Sequence, residues 1–186
     1  MTSEPTGLRV WTVGHSSRDP GAFIALLAEA GVTRVVDIRT IPRSRHVPWA
    51  DLDTLPKLLG AHGLLYSHLP ALGGRRRPRT APEDSAWRNE GFRGYADHMR
   101  TEEFARGLAA LLEVAEREHA AIMCAEAVPW RCHRSLVADA LLARGVEVLH
   151  IMDDGVKPAR MTAFAKVRDG LPTYPPEGGR QSRLPG

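Results

Sequence analysis

The chain has 186 residues, 43% hydrophobic and 25% charged, with a formal net charge of +3. This composition is typical of one soluble globular domain, and no apolar run approaches the roughly 18 residues that a membrane span requires. Two cysteines are too few for a disulfide scaffold, and residues 1–9 lack the apolar core of a signal peptide. We therefore expect a cytoplasmic protein with reduced thiols and no membrane partner.

Short apolar runs alternate along the chain with helical patterns. Asp19 followed by Pro20 predicts the start of the first helix, which Gly31 ends. Further helices are predicted over residues 53–62 and 102–118, and from residue 131 or 132 to Gly145. The predicted strands span residues 8–13, 32–38, 64–69, 120–124 and 146–151.

This alternation favours a three-layer α/β/α fold with a five-stranded, mostly parallel, doubly wound sheet in the order 3-2-1-4-5. Ligands in such folds bind at the carboxyl ends of the strands, here between strands one and four. Residues 1–169 would form one domain, with one short helix between residues 155 and 168. Residues 170–186 would form a flexible, basic tail rich in Pro and Gly. The loop over residues 73–90 has little apolar content, and we expect it to be mobile and to cover the site.

Chemically active side chains follow the predicted strands and should therefore meet at one edge of the sheet. The candidate catalytic residues are Cys132, His133, Glu126, His15 and Cys124. The candidate anion- or substrate-binding residues are Ser16, Arg39, Ser44, Gly73, Gly74, Arg75 and Arg134.

The tripeptide Cys132-His133-Arg134 lies at a predicted helix start. Free backbone N–H groups and the helix dipole there favour a thiolate or a bound anion, with Arg134 as a bidentate partner. We expect Cys132 to be the more reactive thiol and Cys124 the more buried one. The alternative for both is plain packing, because free cysteine is among the most buried residue types.

The other candidates also have structural alternatives. Glu126 is either a general acid/base or a member of an ion pair with a nearby arginine. His15 is either a site residue or a turn histidine that hydrogen-bonds its own backbone. Asp37 and Arg39 are either site residues or partners in a buried salt bridge that braces the following loop.

No cofactor or metal is predicted. The dinucleotide fingerprint G-x-G-x-x-G is absent after the first strand. Cys124 and Cys132 could form a reversible disulfide or share a zinc ion with His15 and His133. Their spacing, however, is not a common zinc pattern.

The motifs resemble those of the domain-of-unknown-function 488 family. The strand-end Cys-x-Glu at Cys124 and the Cys-His-Arg at Cys132 carry this resemblance. The other matching pieces are Val13-Gly14-His15-Ser16, Asp37-Ile38-Arg39 with Pro42 and Ser44, Leu72-Gly73-Gly74, Gly91-Phe92 with Tyr95, and His150-Ile151. The resemblance covers roughly residues 9–152 and implies an α/β fold without an established reaction.

Three functional hypotheses follow. The first is a small enzyme that acts on an anionic, phosphate- or nucleotide-like substrate through the Cys/His/Glu/Arg site. The second is a nucleic-acid-associated module, since Arg75, Arg76, Arg77 and Arg79 precede Trp87, Phe92 and Tyr95, although a solvated loop also explains these arginines. The third is a thiol or metal regulatory protein without turnover.

Overall fold

A six-stranded sheet forms the centre of the computed structural model, which describes residues 7–176. Its strands are β1 (Arg9–Gly14), β2 (Arg34–Asp37), β3 (Leu65–His68), β4 (Ala120–Cys124), β5 (Glu147–Met152) and β6 (Gly155–Pro158). The first five are parallel, and β6 pairs antiparallel with β5. The α/β prediction with a mostly parallel sheet is confirmed.

The observed strand order is β3-β2-β4-β1-β5-β6, so the predicted order 3-2-1-4-5 and the count of five strands are wrong. Strand β4 lies between β2 and β1, and all five of its residues are buried. A strand of small and apolar residues without charge is suited to this central position, because both of its faces are covered. Strands β1 and β4 nevertheless remain neighbours, so their carboxyl ends still meet.

Helices cover both faces of the sheet. They are α1 (Pro20–Glu29), α2 (Leu55–Ala61), α3 (Glu90–His98), α4 (Glu102–Ala115) and α5 (Arg134–Leu142). Helices α1 and α2 share one apolar cluster with the sheet, and α3, α4 and α5 share the other. The predicted cap is present, since the Asp19 side chain accepts a hydrogen bond from the Gly21 N–H at 2.8 Å. No helix within residues 7–176 is both long and apolar enough to cross a membrane.

The segment after β5 contains strands where the sequence suggested a helix. Residues 155–168 hold β6 and β7 (Lys166–Arg168), and β7 forms a hairpin with β8 (Leu171–Thr173). Tyr174 follows this hairpin, is buried, and donates a hydrogen bond to Asp139 on α5 at 2.8 Å. Part of the expected tail is thus packed on the domain, and residues 177–186 lie outside the described part of the chain.

The loop over residues 73–90 is tied to α3 and α4. Arg76 forms a salt bridge with Glu103 at 3.0 Å, and the Asp97 carboxylate accepts the backbone N–H groups of Arg79 and Thr80 at 2.6 and 2.9 Å. Gly94 permits this packing, because a Cβ there would lie 2.1 Å from the carbonyl oxygen of Arg76. The beginning of the loop contacts the predicted site, because Gly74 lies against His133.

Candidate functional site

The site begins where β1 and β4 end side by side. The His15 N–H donates to the Cys124 carbonyl at 3.0 Å, and the Ser16 N–H donates to the Ala125 carbonyl at 2.9 Å. Gly14 is required for this close approach, since a Cβ there would lie 1.7 Å from the carbonyl oxygen of Glu126. The backbone itself therefore holds the His15 and Cys124 segments together.

Arg134, the first residue of α5, points back into the protein and is 0% exposed. One guanidinium nitrogen, Nη1, lies 3.2 Å from Cys124 Sγ and 2.9 Å from the carbonyl oxygen of Glu126. The other, Nη2, donates to the Ala127 carbonyl at 2.9 Å, and Nε has no hydrogen-bond partner. Because a buried cation is costly without a negative partner, this geometry favours the thiolate form of Cys124.

The ionisation of Cys124 and that of Cys132 influence each other, because the two thiols lie in the same buried site. Burial alone would raise the pKa of Cys124, but the hydrogen bond from Cys132 and the charge of Arg134 together lower it below its usual value. The same hydrogen bond and burial raise the pKa of Cys132. Both thiols are free and buried, at 2% and 5% exposure. The electrostatics thus favour Cys124, rather than the expected Cys132, as the thiolate.

His133 adds a neutral imidazole beside the pair. Its Nε2 lies 3.3 Å from the Ile38 carbonyl and donates to it, which leaves Nδ1 as an acceptor 3.5 Å from Cys132 Sγ. Burial lowers the pKa of His133 to about 4, and the charge of Arg134 contributes in the same direction. The Cys132 thiol therefore has a neutral proton acceptor, His133 Nδ1, within reach.

His15 is buried and makes contacts on both ring nitrogens. Nδ1 lies 2.8 Å from the Ser16 carbonyl and donates to it, and Nε2 accepts from Arg39 Nη1 at 3.2 Å. Burial lowers the pKa of His15, and the charge of Arg39 lowers it further. The turn interaction that the sequence allowed is present, and a neutral ring is held against the arginine.

Arg39 forms a buried salt bridge with Asp37, which was the alternative to a role in the site. Its Nε and Nη2 contact the two carboxylate oxygens of Asp37 at 2.9 and 2.6 Å, and Nη2 also donates to the Ala50 carbonyl at 2.6 Å. The Tyr66 hydroxyl donates to the same carboxylate at 2.9 Å. Arg39 is 7% exposed, so its charge is largely used in bracing the loop after β2.

Glu126 takes part through its backbone. Its carbonyl accepts from Arg134, while its side chain is exposed and belongs to none of the salt bridges found among residues 7–176. The ion pair with Arg39 or Arg134 expected from the sequence does not form. The carboxylate remains at the surface two residues after Cys124, where a role in acid/base chemistry stays a prediction.

The predicted anion-binding residues occupy different environments. Gly74 lies against His133, since a Cβ there would be 2.8 Å from His133 Nδ1. Gly73 lies against Thr40 in the same way, and Arg75 is exposed with a left-handed φ of 59°. The Ser44 hydroxyl accepts the Val47 N–H at 3.1 Å and so stabilises a turn. Ser16 has a left-handed φ of 49°, and its N–H donates to the carbonyl of Ala125, the residue after Cys124.

The described residues hold no group of three or more His, Cys, Asp or Glu side chains arranged to bind a metal ion. His15 and His133 each direct a ring nitrogen to a backbone carbonyl, and the remaining nitrogen of His15 faces Arg39. The zinc hypothesis therefore has no ligand set within residues 7–176.

Comparison with known families gives a match to the model described as domain of unknown function DUF488, over residues 19–141. The chain belongs to the DUF488 family. Comparisons with curated proteins and with solved structures give no match. The matched segment includes Cys124, Cys132 and Arg134, so the thiol pair of this DUF488 protein lies within the family's domain.

A cavity of about 480 Å³ lies on the α5 side of the sheet, and neither Cys124 nor Cys132 is part of its wall. Its wall includes Ser135, which donates a hydrogen bond to the Cys132 carbonyl at 3.0 Å, and His150, whose Nδ1 lies 2.7 Å from Thr12 Oγ1. Its other principal lining residues are Trp87, Trp130, Lys157 and Arg160.

This cavity was not predicted. Trp130 is 66% exposed and lies between the two cysteines in sequence, which was a usable signal for a binding role. Lys157 and Arg160 come from β6 and the turn after it, a segment expected to be helical. Because the sequence did not predict the antiparallel strand β6, it could not place these cations next to α5.

Proposed function

We propose that this DUF488 protein is a cysteine-dependent enzyme in which the thiolate of Cys124 is the nucleophile. The observation that carries the proposal is the 3.2 Å contact between Arg134 Nη1 and Cys124 Sγ, made by a guanidinium that has no carboxylate partner. A thiolate stabilised by a fixed cation is the reactive form of cysteine near neutral pH. The proposal implies a reducing compartment such as the cytoplasm, because oxidation of the pair would remove the nucleophile.

Cys132 and His133 supply the proton transfers of this mechanism. Attack by Cys124 forms a bond between Sγ and an electrophilic atom of the substrate, and the leaving group departs with the proton of the Cys132 thiol. Water then cleaves the adduct, giving its hydroxyl to the substrate fragment and its proton back to Cys132. The neutral His133 Nδ1, 3.5 Å from Cys132 Sγ, is suited to relay that proton.

The substrate that fits the neighbouring cavity is a small anion with an aromatic or otherwise planar part. Arg160 supplies positive charge, while Lys157 is paired with Asp154 and Asp139 also lines the cavity. Trp130 supplies an exposed ring at the wall. Cys124 is 2% exposed, so the proposed reaction requires the loop over residues 125–131 to open against the hydrogen bonds that Arg134 makes to it. Glu126 and Arg131, both exposed on this segment, would face the entering substrate.

Paired alkylation reagents test the nucleophile and the cationic cavity together. Iodoacetate is an anion and iodoacetamide is neutral, and a free thiolate reacts faster with the neutral reagent. We expect Cys124 to be labelled before Cys132, and the iodoacetate-to-iodoacetamide rate ratio at Cys124 to exceed that of a free thiol. Mass spectrometry of digested protein gives both rates.

The matched variants are Arg160→Gln, which removes a cation from the cavity, and Arg106→Gln, which removes an exposed cation from α4. Arg160→Gln should lower the rate ratio several-fold, and Arg106→Gln should leave it unchanged. First labelling at Cys132 would reject Cys124 as the nucleophile. An equal effect of both variants would reject the cavity as the route of the anion.

A second candidate is a thiol-based regulatory protein, and it is favoured by two free, buried cysteines whose sulfurs both contact Arg134. A peroxide would oxidise Cys124 to a sulfenic acid, releasing the reduced oxygen as water. Attack by Cys132 would then release a second water and close a disulfide. Treatment with one equivalent of hydrogen peroxide would favour this candidate if a Cys124–Cys132 disulfide forms that dithiothreitol reverses. Stepwise over-oxidation of Cys124 alone would exclude it.

The nucleic-acid hypothesis has less support from its aromatic residues than the sequence suggested. Trp87 stacks on Phe92 with ring centroids 4.7 Å apart and packs against Phe164 and Tyr174. These half-buried or buried rings pack on one another and so offer little free surface for stacking on bases.

A further inference from the structure

Arg93 on α3 is 9% exposed and forms no salt bridge with a described residue. The Nε atom of its guanidinium is buried and has no hydrogen-bond partner. A buried, unpaired cation is costly, so an arginine kept in this state is suited to an anion that comes from outside the chain.

Arg93 lines a cavity of about 510 Å³ between α3 and the β7–β8 hairpin. Arg93, Ala96, Asp97 and Arg100 form one wall, at the spacing of a single helix face. The opposite wall is largely apolar and contains Leu171, Pro172 and Tyr174. This cavity is separate from the thiol pair, none of whose residues contributes to its lining.

The charges around the cavity define the kind of anion. Exposed Arg100 and Arg168 are offset by exposed Asp84 and Asp169, which line the same space. Asp97 lines the cavity too, but its carboxylate is turned to the backbone N–H groups of Arg79 and Thr80 and to the Thr80 hydroxyl. The three arginines and three aspartates of the lining cancel in charge, and Arg93 is the one arginine among them that is buried. A ligand with one negative charge fits this balance better than a phosphate dianion.

We propose that this cavity binds a small organic monocarboxylate, whose carboxylate pairs with the Arg93 guanidinium. The planar fork of an arginine matches the two oxygens of a carboxylate. The apolar wall formed by Leu171, Pro172 and Tyr174 covers the organic part of the ligand. This site is independent of the cysteine chemistry proposed above.

Benzoate is the test ligand, because it combines one carboxylate with a planar apolar body. In a two-dimensional ¹H–¹⁵N NMR spectrum of arginine side chains, the Arg93 Nε–H signal should shift with a saturable dependence on benzoate concentration. Inorganic phosphate at equal ionic strength should bind more weakly. A linear, unsaturating shift with benzoate would overturn the site, and tighter binding of phosphate would overturn the assignment to monocarboxylates.

Two substitutions make the test specific. Arg93→Met removes the charge, and Arg93→Lys keeps the charge but loses the fork, in case the Met variant does not fold. Either should weaken benzoate binding by about 10-fold or more, read from the shift of the Thr80 and Ser85 backbone amides. Arg106→Met, which removes an exposed arginine of α4 outside the cavity, should leave the affinity unchanged. Unchanged affinity in Arg93→Lys, or an equal loss in Arg106→Met, would overturn the proposal.

Discussion

Arg134 holds its guanidinium 3.2 Å from Cys124 Sγ, ten residues earlier in the chain. The contact joins the first residue of α5 to the last residue of β4, so the Arg134 side chain holds the loop between them from its buried side. Two carbonyl oxygens of that loop, from Glu126 and Ala127, accept hydrogen bonds from Nη1 and Nη2. The same side chain therefore shapes the loop and lies where its charge favours the thiolate.

The hydrogen bond from Cys132 should contribute measurably to the acidity of Cys124. Cys132→Ala removes the donor, so the pH midpoint of Cys124 alkylation should rise. Cys132→Ser retains a hydroxyl donor and should shift the midpoint less. The rate of iodoacetamide labelling at Cys124 as a function of pH, followed by mass spectrometry, measures this. Identical midpoints in all three proteins would show that Arg134 alone controls the thiol.

Much of the fold follows from local sequence patterns. The apolar runs around Val10, Val36 and Ile122 become strands, and the cap at Asp19 starts α1 as expected. The gathering of residues that follow β1 and β4 depends only on the two strands being neighbours. It therefore survives the incorrect strand order.

The electrostatic roles of the two cysteines could not be read in the same way. A helix-start arginine can extend into solvent or turn back into the core, and the sequence pattern is identical in both cases. Arg134 turns inward and contacts Cys124, whereas the positional argument assigned its charge to Cys132. The β7–β8 hairpin escaped prediction for a related reason, because its short strands are mostly exposed and have no apolar periodicity.

The salt bridge between Asp37 and Arg39 should contribute to the stability of the fold as a unit. Asp37→Leu leaves an uncompensated buried guanidinium and should lower the free energy of unfolding by about 3–5 kcal/mol. The double variant Asp37→Leu/Arg39→Met removes both charges and should recover part of that loss. Urea denaturation of the wild type and the single and double variants gives the coupling energy. Strictly additive losses would argue that the two side chains do not act as a unit.

Gly14 should be irreplaceable, in contrast to Gly60 in α2. A Cβ at position 14 would meet the backbone of Glu126, so Gly14→Ala should cost about 3 kcal/mol or more of unfolding free energy. Nothing lies within 4 Å of a Cβ at Gly60, and Gly60→Ala should stabilise α2 by about 0.5–1 kcal/mol. Urea midpoints of the two variants test this contrast, and a tolerated Gly14→Ala would mean that the β1 and β4 ends are not in close contact.

Gly74 should link the beginning of the long loop to the thiol pair. In Gly74→Ala the new methyl group would press on His133, whose Nδ1 would be 2.8 Å away. His133 should then move relative to Cys132, and the alkylation rate of Cys132 should change while the protein stays folded. A far-ultraviolet circular dichroism spectrum controls for folding. If the variant is folded and its Cys132 reacts at the wild-type rate, His133 does not influence the reactivity of Cys132.

His150 should make the protein sensitive to acid. Burial and the nearby charge of Arg134 lower its pKa from 6.5 to about 4 in the folded protein. Below pH 6.5 the unfolded chain binds a proton that the folded protein does not, so stability falls as the pH drops from 6.5 towards 4. The loss is at most about 1.4 kcal/mol per pH unit for one histidine. His150→Asn, which keeps a partner for the Thr12 hydroxyl, should flatten this part of the stability curve.

His133 responds in the same pH range, so some acid sensitivity remains in the His150→Asn variant. His62→Asn, at an exposed position after α2, serves as the matched control and should reproduce the wild-type curve. Urea denaturation between pH 4 and pH 7 measures all three curves, and an unchanged slope in His150→Asn would mean that this ring is protonated in the folded protein as readily as in the unfolded chain.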